Sequence, residues 1–328
     1  MLNVLFYGFR HGHVNALYQK VAESPLARVA GCVEENAEAR AAAEKKLGAK
    51  FSDLSYGEWL TSSIDAVAIG GAYGNRGKAV IRALEAGKHV ISDKPLCTSM
   101  EELDRIRELS REKNLKVGCM LDLRDLPQTV AAKQILGSGL LGEVRNVSFN
   151  GQHCINYGSR PAWYFEEGMH GGTVNDLSIH GIDLVRMLTG MEITHVDAVR
   201  TWNAYAHLHP NFRDCALLMA RLENGAGLLA DASYSAPSQA FSMPSYWEFR
   251  FWCARGMLSF NYVDGFVTVF EEGKDSPARI EGVKASADYL ERFVTEVNTS
   301  EQREETEGVL RSTQTALRLQ QIAEEGKK

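Results

Sequence analysis

The sequence predicts two domains: an α/β domain on a doubly wound parallel sheet, and an α+β domain on a large, mostly antiparallel open sheet. The 328 residues exceed what one domain usually holds. Strand and helix signals alternate through the first third of the chain, whereas β-type stretches dominate most of the remainder. We expect the domain boundary at the point where strand–helix alternation gives way to mostly β-type stretches. The predicted domains are residues 1–122 and 123–328.

In the first domain, short apolar runs alternate with helical periodicity. Val14, Leu17 and Val21 recur at helical spacing, and Gly48 and Gly87 are helix stop signals. Strands are predicted at 4–7, 28–34, 65–69, 89–92 and 116–121, and further helices at 36–47, 77–86 and 99–114. This β-α-β alternation predicts parallel strands joined by helical crossovers.

In the second domain, longer β-type stretches are joined by hairpin signals. Asn224-Gly225 and Asp264-Gly265 are dipeptides typical of tight hairpins. Strands are predicted at 144–149, 196–202, 216–222, 227–233, 248–253 and 266–270, and helices at 129–136, 173–188, 289–297 and 306–324. We therefore expect one largely antiparallel sheet with a few covering helices.

Composition excludes several classes of partner. The formal charge is −6 and no basic stripe stands out, so we expect no nucleic-acid binding. No apolar run approaches the length of a membrane span, so we expect no membrane partner. The six cysteines form no CxxC pair, which favours reduced thiols in a cytoplasmic protein over a disulfide framework.

A loop with glycines follows the first predicted strand and leads into a helix. Its residues are Gly8, Phe9, Arg10, His11, Gly12 and His13. The strand–loop–helix context suits the pyrophosphate of a dinucleotide. However, Arg10 and His13 occupy positions where a strict GxGxxG motif needs glycine. An ordinary strand-to-helix turn is the alternative.

Glu34 ends the second predicted strand, 22 positions after Gly12. A carboxylate there accepts both hydroxyls of an adenosine ribose and repels a 2′-phosphate, which favours NAD over NADP. Arg10 keeps NADP as the alternative, because a nearby guanidinium can bind that phosphate. Glu34 could also be a solvated strand end beside Glu35.

Two clusters carry the chemistry. Lys94 follows Asp93 at the carboxyl end of a short strand, the edge where ligands bind in open α/β sheets. Asp176, His180 and Asp183 are spaced i, i+4 and i+7 on a predicted helix, a pattern that suits general acid–base catalysis. Lys94 could instead be a surface lysine that caps the strand. The helix cluster could instead be a structural polar patch, or a metal site that also uses His170. We predict no metal.

These motifs together resemble the Gfo/Idh/MocA oxidoreductases. The resemblance rests on the run from Gly87 to Pro95, on Gly171-Gly172 followed by the acid–base cluster, and on the run 139–144. It implies an N-terminal Rossmann domain and a C-terminal α/β domain whose open sheet forms a homodimer or homotetramer. It also implies NAD or NADP chemistry on sugars, cyclitols or related polyols.

The resemblance also implies roles for residues. Lys94, Asp176 and His180 correspond to the family's catalytic positions, and Asp93 stands where glutamate is usual. The family's turn after the third strand maps onto 71–76, which places Gly71, Tyr73 and Arg76 with Asp93 and Lys94 in the cofactor pocket. Candidate substrate-binding residues are Arg124, Arg160, Trp163, Tyr164 and His180. For Trp163 and Tyr164, a place in the core or an interface is an equal alternative.

The expected function is hydride transfer between NAD(P) and a secondary hydroxyl of a sugar-like compound. His180 is the expected base, Lys94 stabilises the alkoxide, and Asp176 orients one of them, although Lys94 and His180 could exchange roles. Two alternatives stay open: a lyase or glycosidase that uses NAD transiently, and a nucleotide-binding sensor without turnover.

Overall fold

The computed structural model describes residues 1–299 and 301–326, which form two units, each discontinuous in the sequence. The first unit comprises Met1–Met120, Pro161–Gly171 and Ala287–Gln314. The second comprises Leu121–Arg160, Gly172–Ser286 and the chain from Thr315 on. The predicted boundary at 122/123 lies close to the first crossing. The two later stretches of the first unit were not predicted, because local periodicity does not reveal which sheet a segment packs against.

The first unit holds a five-stranded parallel sheet of order β2-β1-β3-β4-β5. The strands are β1 (Leu2–Tyr7), β2 (Ala27–Val33), β3 (Ala66–Ile69), β4 (His89–Ser92) and β5 (Val117–Cys119). The helices between them are α1 (His13–Glu23), α2 (Ala37–Leu47), α3 (Tyr56–Leu60), α4 (Tyr73–Glu85) and α5 (Met100–Glu112). The strand order reverses at β1, so the loops after β1 and β3 border one crevice, where such sheets bind ligands.

A helix from the end of the chain completes the core of the first unit. In α8 (Tyr289–Asn298), Leu290, Phe293 and Val294 are buried in the same apolar cluster as β1. A Cβ atom on Gly118 of β5 would lie 2.9 Å from the Phe293 ring, so glycine lets the helix approach the sheet closely.

The second unit holds an eight-stranded sheet of order β13-β12-β11-β10-β6-β9-β8-β7, antiparallel except for the pair β6–β9. The strands are β6 (Val144–Gln152), β7 (Ile193–Trp202), β8 (Cys215–Leu222), β9 (Gly227–Ser233), β10 (Phe249–Cys253), β11 (Gly256–Phe260), β12 (Phe266–Glu271) and β13 (Ala278–Glu281). Its helices are α6 (Pro127–Gly137) and α7 (Ile179–Thr189), and α9 (Glu304–Glu325) ends in it. Strands β11 and β13 and helix α3 were not predicted from the sequence.

The large sheet has one covered and one open face. Along β8, buried residues alternate with exposed Leu217, Met219 and Arg221. Helix α7 packs on the covered face, where Gly181 meets the ring of Phe149. Strict alternation is typical of an antiparallel sheet covered on one side.

The helix predicted at 173–188 begins irregularly. Val174–Ser178 forms a turn of π-helix before the regular helix α7 starts. The wider turn departs from the 3.6-residue period assumed for Asp176, His180 and Asp183. Such turns recur at functional sites, where they change the direction of a side chain.

Among the described residues, the structure contains no helix with the length and apolar character needed to cross a bilayer. The six cysteines all lie in the described part of the chain and are free thiols, five of them buried.

Substitution of Gly181 by alanine is expected to destabilise the second unit. The added Cβ atom would lie 2.2 Å from the Phe149 ring, so α7 must shift from the sheet. Overpacking of this kind lowers the free energy of unfolding by about 1–3 kcal/mol, which urea denaturation followed by fluorescence measures. In the control Gly137→Ala, among the described residues no atom lies within 4 Å of the new Cβ atom. Equal effects of both variants would contradict the prediction.

Candidate cofactor and active site

The loop after β1 is fixed by protein acceptors for its amides. The Phe9 N–H donates to Glu34 Oε2 at 2.5 Å, and the Arg10 and His11 N–H groups approach the Gly70 carbonyl at 3.0 and 3.3 Å. Gly8 has φ +85°, and a Cβ atom there would lie 2.6 Å from the backbone nitrogen of Gly71. Gly8 is therefore required by the fold itself.

Gly12 and Gly71 have no such structural reason. Neither has a left-handed φ, and among the described residues no heavy atom lies within 4 Å of the Cβ position of either. Gly12 caps α1 and offers no side chain to its first amides. Open space above a helix N-terminus suits a phosphate that approaches the backbone closely.

Glu34 is held by two amides. Its Oε2 accepts from Phe9, and its Oε1 accepts from the N–H of Asn36 at 2.7 Å. Each carboxylate oxygen keeps a further lone pair for a ribose hydroxyl. Gly8, Arg10 and Gly71 line the same pocket as Glu34, so the guanidinium considered for NADP lies in the pocket of the carboxylate that favours NAD.

Asp93 connects three segments at the carboxyl edge of the sheet. Its Oδ2 accepts from Arg76 Nη2 at 2.7 Å and from His11 Nδ1 at 2.6 Å, while His13 Nδ1 lies 3.4 Å from Oδ1. Burial alone would raise the pKa of Asp93, but Arg76 and His11 hold it well below its usual range. Burial lowers the pKa of His11 to about 4, although Asp93 opposes the shift.

Arg76 is fully buried and organises the turn after β4. Besides Asp93, it donates to the carbonyl of Gly71 at 2.8 Å and to the carbonyl of Lys94. Lys94 is 2% exposed, and its Nζ lies 6.0 Å from the centroid of the Tyr73 ring. The predicted cofactor residues Gly71, Tyr73, Arg76, Asp93 and Lys94 are thus gathered at one edge of the first unit.

Trp163 and Tyr164 belong to the first unit, although they come from a segment between strands and helices of the second. Trp163 Nε1 donates to the carbonyl of Arg10 at 3.3 Å, and the hydroxyls of Tyr164 and Tyr73 lie 2.7 Å apart. Each is 2% exposed. His170, from the same segment, packs against Tyr73. These contacts support the packing alternative for Trp163 and Tyr164, and their substrate role stays a prediction.

In the second unit, the Tyr234 hydroxyl donates to the carboxylate of Asp176 within the π-helical turn. Asp176 is 1% exposed and His180 5% exposed, and the His180 ring meets Trp247 edge-on at 5.4 Å. Sequence reasoning missed Tyr234, because no local pattern links residues 58 positions apart. Both candidate catalytic side chains therefore have fixed, buried surroundings.

Two arginines predicted to bind substrate have partners within the second unit. Arg124 forms a two-point ion pair with Asp183 at 2.5 and 2.6 Å. Arg160 donates to the carbonyls of Cys154 and Ile155 at 2.5 and 2.7 Å. These contacts fix the arginines in place, and their contact with substrate stays a prediction.

One group of three potential metal-binding side chains occurs among the described residues: His11, His13 and Asp93. The set weighed from sequence, with Asp176, His180, Asp183 and His170, does not form such a group.

Residues 2–120 match the model of an oxidoreductase family with an NAD-binding Rossmann fold, and residues 129–259 match the Gfo/Idh/MocA C-terminal domain. Together the matches cover about three quarters of the chain. The first domain is therefore the NAD-binding Rossmann domain of an oxidoreductase family. The chain belongs to the Gfo/Idh/MocA family, which confirms the resemblance seen in the sequence.

Among curated proteins, levoglucosan dehydrogenase of Pseudarthrobacter phenanthrenivorans is 28% identical over 207 residues, covering 56% of this chain and 51% of that protein. The scyllo-inositol 2-dehydrogenase (NAD(+)) of Bacillus subtilis is 31% identical over 191 residues, covering 57% and 54%. The chain thus spans about half the length of the curated relatives that it matches.

Solved structures share the fold over almost the whole chain. The myo-inositol 2-dehydrogenase of Lactobacillus plantarum has a TM-score of 0.78 at 19% identity, covering 99% of this chain and 98% of that one. The aldose-aldose oxidoreductase of Caulobacter crescentus has a TM-score of 0.80 at 18% identity, with the same coverage. The predicted fold class is confirmed.

The residues present fit a nicotinamide dinucleotide. Gly12 and Gly71 leave open space beside the backbone, as the close approach of a pyrophosphate requires, and the Glu34 carboxylate keeps lone pairs that ribose hydroxyls could use. Lys94 at the end of β4 stands at the ligand-binding edge.

Gly12→Ala is expected to weaken NADH binding by about tenfold or more, because the methyl group fills the phosphate cradle. Fluorescence titration with NADH measures the affinity. The melting temperature should not fall, since Gly12 has helical dihedrals and open space. Unchanged affinity in a folded variant would place the phosphates elsewhere.

Proposed function

We propose that this protein is an NAD-dependent dehydrogenase or reductase acting on a secondary hydroxyl of a sugar, cyclitol or related polyol. The observation that carries the proposal is the buried Lys94 beside Asp93 and Arg76, at the edge of a sheet whose glycine cradle fits a dinucleotide. The relatives named for levoglucosan and scyllo-inositol support this substrate class.

The chemistry is divided between cofactor and protein. A bound nicotinamide supplies the hydride acceptor or donor, which side chains cannot provide. His180 removes the proton of the substrate hydroxyl, and Lys94 donates a hydrogen bond to the developing alkoxide. Asp176, which accepts a hydrogen bond from Tyr234, orients His180 or Lys94 in this proposal. Arg124, Arg160, Trp163 and Tyr164 remain candidates for substrate binding in this proposal.

The preference for NAD over NADP rests on Glu34. Its carboxylate is fixed by two backbone amides, so it cannot swing away from a 2′-phosphate without losing both hydrogen bonds. Arg10 lines the same pocket and would favour NADP only if its charge outweighed that repulsion.

The proposal is tested by NAD reduction with a panel of aldoses, inositols, sugar acids and lactones. On a confirmed substrate, Lys94→Ala and His180→Ala should each lower turnover by about a hundredfold or more, while NADH affinity changes far less. The assay measures the rate of NADH formation at saturating substrate.

Exposed residues of the same types serve as controls. Lys50→Ala and His195→Ala should leave turnover unchanged, since Lys50 is exposed and the His195 side chain is 56% exposed. Near-normal turnover in Lys94→Ala or His180→Ala would remove that residue from the mechanism. Turnover of glycosides or elimination substrates without net NADH would replace the dehydrogenase by a lyase.

We also propose that the protein is a homo-oligomer that acts in the reducing cytoplasm. Six free thiols suit that compartment. The open face of the large sheet carries two sets of large apolar side chains, separated by Asn146 and Ser148 of β6. Met219 and Leu229 are paired across β8 and β9, and Trp252, Met257 and Phe270 across β10 to β12. Leu229, Trp252 and Phe270 are about half exposed, at 58%, 51% and 46%. Exposed apolar side chains grouped on one face of a sheet are typical of an interface between proteins.

Leu229→Glu is expected to convert the oligomer to a monomer, because it places a charge within the proposed contact. Sedimentation velocity measures the mass. Leu208→Glu is the matched control, because Leu208 is 80% exposed in the segment between β7 and β8. A monomeric native protein, or dissociation by both variants, would contradict the proposed interface.

A further inference from the structure

Trp247, in the second unit, has a backbone conformation that its side chain does not favour. Its φ is +48°, in the left-handed region that glycine and asparagine adopt readily and that bulky residues rarely adopt. The residue is 3% exposed, so the side chain is buried. Glycine would suit this backbone better, so the reason for a tryptophan here lies in the contacts of its ring.

The residues on either side hold the backbone of Trp247 in this conformation. The carbonyl of Tyr246 accepts from the N–H of Tyr262 at 3.1 Å. Glu248 is joined to Asn150 twice: its N–H donates to Asn150 Oδ1 at 3.2 Å, and its carbonyl accepts from the Asn150 N–H at 3.1 Å. An unfavourable φ persists where the surrounding structure fixes it, and these hydrogen bonds do so.

The large sheet leaves room for the indole ring. A Cβ atom on Gly151 of β6 would lie 2.6 Å from the six-membered ring of Trp247, so the ring lies there because residue 151 has no side chain. The indole is nearly parallel to the ring of Phe249, with centroids 6.4 Å apart and planes at 13°. Phe249 in turn stacks on Phe149, the ring that meets Gly181 of α7. The indole is therefore placed by the same rings that support α7.

The fixed indole contacts the candidate catalytic histidine of α7. The ring centroids of Trp247 and His180 lie 5.4 Å apart and their planes are at 76°, which is a favourable arrangement for an aromatic pair. Rotation of a histidine ring about the bond to its Cβ atom has only broad preferences, so covalent geometry does not set the plane of the imidazole. A buried indole at this distance and angle blocks rotation of the imidazole towards it.

We infer that Trp247 is a positioning residue for His180: its indole ring holds the imidazole at the angle at which the imidazole removes the proton of the substrate hydroxyl. This inference rests on the proposed function and deepens it, because it names the side chain that prepares the base without contacting the substrate. A base held at its working angle before the substrate arrives reacts faster than one that must first rotate. The unfavourable backbone at Trp247 is retained for that reason.

Variants at Trp247 and at a matched ring test the inference on a confirmed substrate. Trp247→Leu keeps an apolar side chain on the same backbone but removes the flat ring, so kcat should fall by about tenfold or more while KM and NADH affinity change little. Trp247→Phe keeps a flat ring and should retain most of the turnover. In the control Phe251→Leu, which changes a buried ring of β10 that stacks on Phe260, kcat should be unchanged.

A double-variant cycle separates positioning of His180 from general support of the fold. If Trp247 acts through His180, Trp247→Leu should lower kcat no further once His180→Ala is present. Additive losses in the double variant would overturn the inference. It would also be overturned by unchanged kcat in Trp247→Leu, or by an equal loss of kcat in Trp247→Phe or Phe251→Leu.

Crystal structures of the variants give a readout that does not depend on activity. The His180 imidazole should be rotated or occupy more than one orientation in Trp247→Leu, and should keep its native orientation in Trp247→Phe. If Trp247→Leu does not fold, Trp247→Gly replaces it, because glycine adopts this φ freely. An imidazole that keeps its native orientation without the indole would refute the inference. If the native protein turned over no member of the substrate panel, the proposed function would fail, and these orientations would decide the inference.

Discussion

The buried carboxylate of Asp93 is the interaction on which the cofactor edge of the first unit depends. It joins the end of β4 to α4 through Arg76 and to the loop after β1 through His11. Asp93 and Arg76 are both fully buried, where an unpaired charge would be strongly destabilising, so removal of either would leave the charge of the other unpaired. Through the Lys94 carbonyl, which Arg76 also contacts, the same network fixes the backbone of the candidate catalytic lysine.

The network explains why the loop departs from a glycine-rich pattern. Gly8 remains because the backbone of Gly71 approaches it closely, and Gly12 remains beside open space. Between and after them, histidines are accommodated because Asp93 supplies a partner for each ring. The carboxylate of Asp93 and the imidazoles of His11 and His13 therefore depend on one another, and a glycine motif alone does not describe this edge of the sheet.

Much of the fold and part of the site could be predicted from the sequence. Strand ends mark the ligand edge of a parallel sheet, so Glu34 and Lys94 were recognisable from apolar runs that stop at a charged residue. The contacts of Asp176 with Tyr234 and of Arg124 with Asp183 were not, because they join residues far apart in the chain. The π-helical turn at Val174–Ser178 also has no signal in hydrophobic periodicity, which assumes a regular turn.

The discontinuity of the first unit has a consequence for how such a chain can be cut or recombined. The polypeptide passes between the two units five times, and the core of the first includes Phe293, contributed from near the far end of the chain. A fragment of residues 1–120 would expose the apolar surface that α8 covers and would lose the Tyr164 hydroxyl from Tyr73. If two relatives exchanged the nucleotide-binding half at a single crossover, the sheet would come from one parent, and α8 and Tyr164, which pack against it, would come from the other. Such recombinants should pack poorly, so we expect this fold to be inherited as a whole gene.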